Sequence, residues 1–497
     1  MAKKVVLFYP KTDSEGSFKN IPLSVLKIGS ELKGAGYDVI TIDERFEDGY
    51  QKKLAGALEQ AVFFGVSAMT GYQIYGAMKA SAFVKRIDKD MPVVWGGWHS
   101  SLLPEETLAN QDIDIVVRGQ GERTVCELAK VLQARGDLNG ISGISFKKEG
   151  KIISNSPREL EDINAFHPVS FDTVDIERYI FKGPLGERSI FWNSSQGCPY
   201  RCGFCSTPTV YHRRWSGLKA ETLLGQLRRL VHDYRIDAVT FAEDNFFVDA
   251  GRIEKFCSGL IESKLNIKWA TDVRVDQVVR FSEDLIDLLK ASGCAKLYIG
   301  AESGDQEVLD LIDKKILLED IYKSAEKLYK HKIISEFFMI VGFPVNPKKD
   351  LEKSLELIRR VKSRYPDHQF TPFLYTPYPG TPLLDRAITS GLEVPKKLED
   401  WARWSILSVS TPWVNKRYLD SVNRYSKCVY PLAFPSEALK KRFETGFGGR
   451  LYMILHKLEQ FRVKNNFFLF PLEWKLIKVF HAMQIRYNLF KDVESFR

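Results

Sequence analysis

Three cysteines, Cys198, Cys202 and Cys205, fall at spacing C-x3-C-x2-C within Ser195-Gln196-Gly197-Cys198-Pro199-Tyr200-Arg201-Cys202-Gly203-Phe204-Cys205-Ser206. Glycine and proline put them on a loop, just after the apolar run Ile190-Phe191-Trp192, which reads as a strand. Thiolates that close together can reach one metal centre. A four-iron cluster takes four ligands, usually cysteine thiolates, so three leave one iron open to an outside ligand. That is a reactive arrangement. A zinc site or a chance grouping is the alternative. Zinc favours two paired C-x2-C units or added histidines, and the sequence offers one triplet with no close second pair, so the cluster is preferred.

The elements that position this loop follow from periodicity. Before it, Val5–Pro10, Asp38–Asp43, Ala61–Ser67, Pro92–Gly97 and Ile113–Val117 read as strands, with a helix from about Pro22 to Gly34. Strands alternating with helices argue for a parallel, doubly wound sheet, whose ligands sit beyond the carboxyl ends of the strands. Those ends are small or polar: Ser67-Ala68-Met69-Thr70-Gly71, Gly96-Gly97-Trp98-His99-Ser100 and Gly119-Gln120-Gly121-Glu122. Glycine lets a large ligand approach the backbone. Taken singly, each glycine is as well explained by an ordinary turn. From Gly140 to about Arg188 the pattern weakens. Ile144–Ile153 resembles a hairpin turning at Glu149-Gly150, and the whole segment reads as a bridge packed against both neighbours.

After the cysteines the alternation resumes. Strands are expected at Ala238–Phe241, Lys268–Asp272, Lys296–Ser303, Ser335–Pro344 and Gln369–Pro377, which with Ile190 makes six strand-helix units. Barrels of such units keep their chemistry at the strand carboxyl ends. Polar residues fall there: Glu243, Asp244, Arg274, Glu302 and Ser303. Taken alone, an acid at a strand end caps the next helix, and Arg274 could be a surface ion pair.

Composition sets limits. At 497 residues two or three domains are expected. Net charge is +9, without a dense basic block, so a solvated basic surface is preferred over nucleic-acid binding. Seven cysteines do not make a disulfide scaffold. Cys126, Cys257, Cys294 and Cys428 sit in apolar segments, as buried free thiols do. A reducing cytoplasm fits them. Met1-Ala2-Lys3-Lys4 is not followed by a signal-peptide core, and no apolar run reaches the roughly 18 residues of a membrane span.

The loop C-x3-C-x-aromatic-C, with Phe204 in the aromatic slot, resembles the radical S-adenosylmethionine (SAM) superfamily. That resemblance implies a partial six-strand barrel and a [4Fe–4S] cluster on Cys198, Cys202 and Cys205. It also implies SAM at the open iron, cleaved to a 5′-deoxyadenosyl radical. It carries Glu243 or Asp244 over as acceptors for the SAM ammonium. Arg274 becomes a donor to its carboxylate or ribose, and Glu302 with Ser303 ribose acceptors. An external reductant such as a flavodoxin or ferredoxin is implied as well. Gly342-Phe343-Pro344 and Thr376–Leu383 look like turns of the same family that shape the substrate mouth.

Gly96-Gly97-Trp98-His99 with Pro104-Glu105-Glu106, and Gly119-Gln120-Gly121-Glu122-Arg123-Thr124, resemble the cobalamin-binding branch of that superfamily; Gln120 departs from its usual glutamate. Ser67, Thr70, Gly71, Gly96, Gly97, Gly119 and Glu122 are the cobalamin-binding residues this implies. The D-x-H-x-x-G motif that supplies a lower cobalt ligand is absent, so a cobalt without histidine is expected.

The expected division is a doubly wound (Rossmann- or flavodoxin-like) cobalamin-type domain at 1–139, a linker at 140–188 and a partial (β/α)6 TIM-like barrel at 189–392. A mainly helical, aromatic-rich region at 393–497 completes the α/β chain. Residues 435–497 hold twelve Lys and Arg against six Asp and Glu, and include the aromatic stretch Phe467–Phe480. Such a tail packs on its domain as an amphipathic helix or lies on a membrane; packing is favoured. The expected function is cobalamin-dependent methylation of an unactivated carbon in a small-molecule or lipid-like substrate. The alternatives are an oxidative cyclase, such as the anaerobic magnesium-protoporphyrin ester cyclase of this branch, and a non-catalytic iron–sulfur or electron-transfer protein. No acid, base or hydrogen donor is assigned.

Overall fold

Runs of β-branched and aromatic residues separated by amphipathic stretches build two parallel sheets, each covered by helices. The computed structural model describes residues 3–13, 20–405, 411–425, 429–434 and 447–465. Cys428, the expected helix start at Ser436 and the aromatic stretch 467–480 lie outside the described residues.

The first sheet holds β1 (Lys4–Tyr9), β2 (Asp38–Asp43), β3 (Ala61–Ser67), β4 (Val93–Gly96), β5 (Ile115–Val117), β6 (Ile144–Lys148) and β7 (Lys151–Ser154). Their order is β2-β1-β3-β4-β5-β6-β7. β1 to β5 run parallel. Val5, Val6, Leu7 and Phe8 are all buried because both faces of β1 are covered. The order reverses between β1 and β3, which opens a crevice at their carboxyl ends. The hairpin read from sequence as part of a bridge instead extends this sheet: β6 pairs antiparallel with β5, and β7 with β6. Its turn needs positive φ at both central residues, and Glu149 (51°) and Gly150 (76°) supply it.

The second sheet holds β8 (Ser189–Trp192), β11 (Ala238–Phe241), β12 (Lys268–Arg274), β13 (Cys294–Glu302), β14 (Ile334–Val341) and β15 (Gln369–Leu374), all parallel, in chain order. This is the expected open barrel of six strands. Between β8 and β11 a two-stranded ribbon forms from β9 (Ser195–Gly197) and β10 (Trp215–Gly217), paired antiparallel. The three cysteines lie between its arms.

The segment before β8 packs against both sheets. Tyr179 donates to Asp43 Oδ2 at 2.9 Å, the Ser170 amide donates to Ser30 Oγ at 2.8 Å, and Phe171 meets Trp192 edge-on. After the barrel, Trp401 and Trp404 join the apolar core of the first sheet. Trp401 donates to Glu106, and Trp404 donates to the Pro377 carbonyl at 2.8 Å. These two aromatics pack on the first sheet. Among the described residues no helix is long and apolar enough to cross a membrane.

Candidate functional site

The cysteine loop is gripped on both sides by one carboxylate. Asp244, just past β11, accepts from the Gly197 amide at 3.0 Å and from Thr207 Oγ1 at 2.9 Å. Gly197 precedes Cys198 and Thr207 follows Cys205. Glu243 accepts from the Ser194 amide at 2.9 Å and Ser194 Oγ at 2.8 Å, and also from Ser195 Oγ. Both acids, expected to meet a SAM ammonium, are thus engaged with the loop and its leading strand.

All three thiols are free. Burial pushes Cys198 up and Cys205 up to about 11, and Cys202 adds to both shifts through its proximity. Asn245 Nδ2 lies 3.8 Å from Cys198 Sγ, and Arg274 Nη1 lies 3.3 Å from Cys202 Sγ. An amide donor at Cys198 and a guanidinium at Cys202 fit a cluster that carries negative charge on its sulfurs.

Beside the loop a cavity of about 390 Å³ opens at the carboxyl ends of β11 to β15. Glu243, Asp244, Arg274 and Glu302 all line it, with Phe204. Glu302 sits at a break in the β13–β14 register and has a left-handed backbone, φ 64°. Its carboxylate is buried and accepts from Lys314 Nζ at 2.5 Å. Ser303 departs from expectation. It is fully buried, donates to Asp350 Oδ1 at 2.6 Å, and is not among the cavity's lining residues. Its hydroxyl fastens the helix Pro347–Arg364.

Asp272 and Lys314 went unrecognised in the sequence. Asp272 lies two residues before Arg274 on β12, and alternation puts both on one face; that periodicity could have found it. It lines the cavity, and burial together with Glu243, Asp244 and Glu302 pushes it up to about 7. Lys314 stands in Asp313-Lys314-Lys315, which reads as a solvated turn. Tyr375 also lines the cavity, with its hydroxyl buried and without a hydrogen-bond partner among the described residues. Beside Asp272, its register partner on β12, Tyr298 stacks on Phe338 (5.6 Å between centroids), and Phe338 meets Phe373 edge-on at 5.4 Å. A cavity with acids, two cations and an aromatic wall fits a molecule with a sulfonium, an ammonium and a purine.

The first sheet points its carboxyl ends toward the same loop. Gly119 (φ 69°) lies 3.5 Å, measured from the position of an added Cβ, from the Val210 carbonyl, and Trp98 meets Tyr211 edge-on at 5.9 Å. An added Cβ at Gly96 would find nothing nearer than 3.8 Å. Ser67 is half-buried and Met69 is 55% exposed at the end of β3. Open backbone beside an exposed thioether fits the broad face of a corrin. Other expected contacts are occupied. Thr70 Oγ1 shares a hydrogen bond with His99 Nδ1 at 3.0 Å, and Gly71 packs on the Trp404 carbonyl. Gly97 is required by β3, since a Cβ there would come within 2.6 Å of the Ala68 carbonyl. Glu122 accepts from Gln196 at 2.9 Å, so it ties the two units together. His99 is fully buried, and burial pushes it down to about 4.

The sequence pattern of the radical SAM superfamily matches residues 192–358, and that of the B12 binding domain matches residues 16–129. An uncharacterized methyltransferase of Pyrococcus horikoshii is 30% identical over 403 residues, covering 78% of this chain and 84% of that protein. The anaerobic magnesium-protoporphyrin IX monomethyl ester cyclase of Rubrivivax gelatinosus is 27% identical over 374 residues, 73% of this chain and 65% of that one. The cobalamin-dependent SAM radical enzyme OxsB, solved with aqua-cobalamin bound, has the same fold. Its TM-score is 0.73 at 18% identity, over 97% of this chain and 76% of that one.

Proposed function

The chain belongs to the cobalamin-binding branch of the radical SAM superfamily, and on that premise we propose that it methylates an unactivated carbon of a small-molecule or lipid-like substrate. Its cofactors are a [4Fe–4S] cluster, SAM and cobalamin. When bound, the cluster and SAM supply a hydrogen-abstracting 5′-deoxyadenosyl radical, and cobalamin supplies the methyl group.

The residues have the following roles in this reading. Cys198, Cys202 and Cys205 hold the cluster through three sulfurs and leave one iron position for SAM. Asp244 and Glu243 keep that loop in register with β11. Asp272 and Glu302 offer carboxylate oxygens to the donor groups of SAM, with Lys314 balancing the charge of Glu302. Ser67 and Gly96 would leave strand ends of the first sheet open to the corrin, with Gly119 at its edge against Val210. Tyr298, Phe338 and Phe373 exclude water and favour an apolar substrate.

The observation that carries this reading is the meeting of both sets of strand ends at one loop. The Thr209 hydroxyl, just past the cysteines, donates to the Gly380 carbonyl at 2.6 Å, while Gly119 faces Val210. Cobalamin at the strand ends of the first sheet and SAM at those of the second would then lie on either side of this loop. Anaerobically reconstituted protein given SAM with a deuterated methyl group should release 5′-deoxyadenosine and return a product heavier by that methyl. Cobalamin binding and deoxyadenosine release without any labelled product would defeat the proposal.

The likeness to the cyclase supports oxidative ring closure as a second reading. Product mass separates the two, because closure adds no methyl group. We place the enzyme in the cytoplasm, supplied with electrons by a flavodoxin or ferredoxin; the free thiols support this. On the helix Phe447–Asn465, Ile454, Leu458 and Phe461 form an exposed apolar stripe that supports peripheral membrane contact. Flotation with lipid vesicles tests it, and a protein that stays at the bottom of the gradient removes it.

A further inference from the structure

Arg274 ends β12 and is 7% exposed. All three of its nitrogens have partners. Nε donates to Asp276 Oδ1 at 2.8 Å, Nη2 to the Lys314 carbonyl at 2.6 Å, and Nη1 to Cys202 Sγ at 3.3 Å. The guanidinium lies 3.7 Å from the centroid of the Tyr200 ring. Tyr200 stands between Cys198 and Cys202, so this cation touches the cysteine loop at its sulfur and at its aromatic face. Carboxylate recognition by arginine uses two parallel N–H donors. Here the three bonds, to a cysteine sulfur, a backbone carbonyl and an aspartate, fix the plane of the guanidinium against the cysteine loop, although each Nη keeps a second N–H.

We propose that Arg274 is a positioning residue that fixes Cys202 and raises the reduction potential of the cluster, instead of serving as the SAM carboxylate ligand. The inference rests on the cluster assignment alone and holds whichever product the enzyme makes. Reduction of a [4Fe–4S] cluster from the 2+ to the 1+ state takes one electron from a low-potential carrier and adds one negative charge, spread over iron and sulfur. Hydrogen bonds to ligand sulfurs and the local net charge set the potential. A buried cation in contact with a ligand sulfur stabilises the added charge with little screening from water. The other charges nearby do not replace it. Lys314 is paired with Glu302, and Asp276, which opposes Arg274, is shared with the exposed Arg280. The potential of the cluster is therefore set partly by a side chain held to the cysteine loop by its own protein partners.

The test uses the reconstituted full-length protein. The reduced cluster's electron paramagnetic resonance signal is followed against potential with dithionite as reductant. Wild type is compared with Arg274→Gln, Arg274→Lys and, as a surface control, Arg280→Gln. Binding of radiolabelled SAM to the oxidised protein is measured by dialysis on the same samples. The midpoint should move to more negative potential in Arg274→Gln and less far in Arg274→Lys, with Arg280→Gln near wild type. SAM affinity should stay within about threefold in all. Unchanged midpoints in both Arg274 variants, with or without lost SAM affinity, would overturn the proposal. If Arg274→Gln takes up no iron, Arg274→Lys decides on the same criterion. Failure of both to take up iron, against full uptake by Arg280→Gln, would leave Arg274 a folding role only and would equally overturn it.

Discussion

Gln196 Nε2 donates to Glu122 Oε1 at 2.9 Å, which joins the strand leading into the cysteine loop to the first turn of the helix after β5. Gln196 also accepts from Gln120 at 2.8 Å, and Gln120 in turn accepts from the Glu161 amide at 2.8 Å. A stretch that resembles a cofactor loop therefore acts as a strut between the two sheets. Gln196→Ala takes the Gln196 donor from the buried Glu122 and leaves Gln120 Nε2 only its longer bond to the Glu161 carbonyl at 3.4 Å, a loss of about 1–3 kcal/mol. A lower thermal midpoint with no change in helix content is expected. An unchanged midpoint would mean that water replaces the strut.

Asp244→Ala frees Gly197 and Thr207 together, so the loop loses its hold on both sides of the cysteines. Iron and sulfide bound after reconstitution should fall well below wild type. Asp244→Asn keeps an acceptor for Thr207 but cannot satisfy the Gly197 amide equally, and should be intermediate. Full iron uptake by the alanine variant would show that the cysteines order themselves.

Asp272 gives the cavity a pH dependence. Its folded pKa of about 7 lies above that of an ordinary aspartate, chiefly through burial and then through Glu243, Asp244 and Glu302. The folded state therefore holds a proton that the unfolded state has lost, and stability falls as pH rises toward 7. The thermal midpoint should drop over that window in wild type and less in Asp272→Asn. SAM binding should strengthen as pH is raised through 7 and become flat in the variant. A wild-type binding curve without that rise would show that Asp272 does not meet SAM.

Lys314→Met strands the Glu302 carboxylate in the cavity wall. Breaking a buried pair from one side typically costs about 3–5 kcal/mol, so a large drop in thermal midpoint is expected. Lys314→Met with Glu302→Gln should recover most of the stability and little of the SAM affinity. Recovery of both would remove Glu302 from the SAM site.

Much of this was legible because it is periodic. The β-branched runs of β1 and β3 and the six barrel strands announce themselves, and the rule that ligands sit at carboxyl ends points to Glu243, Asp244, Arg274 and Glu302, which line the cavity. Their bonding partners were not legible. Glu243 and Asp244 reach back to the loop, Arg274 to Cys202, and Ser303 to a helix some fifty residues away, because each partner is set by how units pack and not by local spacing. Lys314 gave no signal, since a basic turn looks the same whether its ammonium meets water or a buried glutamate. The β6–β7 hairpin was seen as a hairpin, but only the edge of β5 decides which sheet it joins.

Glu302 occupies a left-handed backbone position where glycine would be relaxed. The carboxylate is thus retained against a local preference of about 1–2 kcal/mol. Selection for heat resistance and selection for turnover should pull this codon in opposite directions. Glycine would accumulate under the first once Lys314 is also replaced, and glutamate would return under the second.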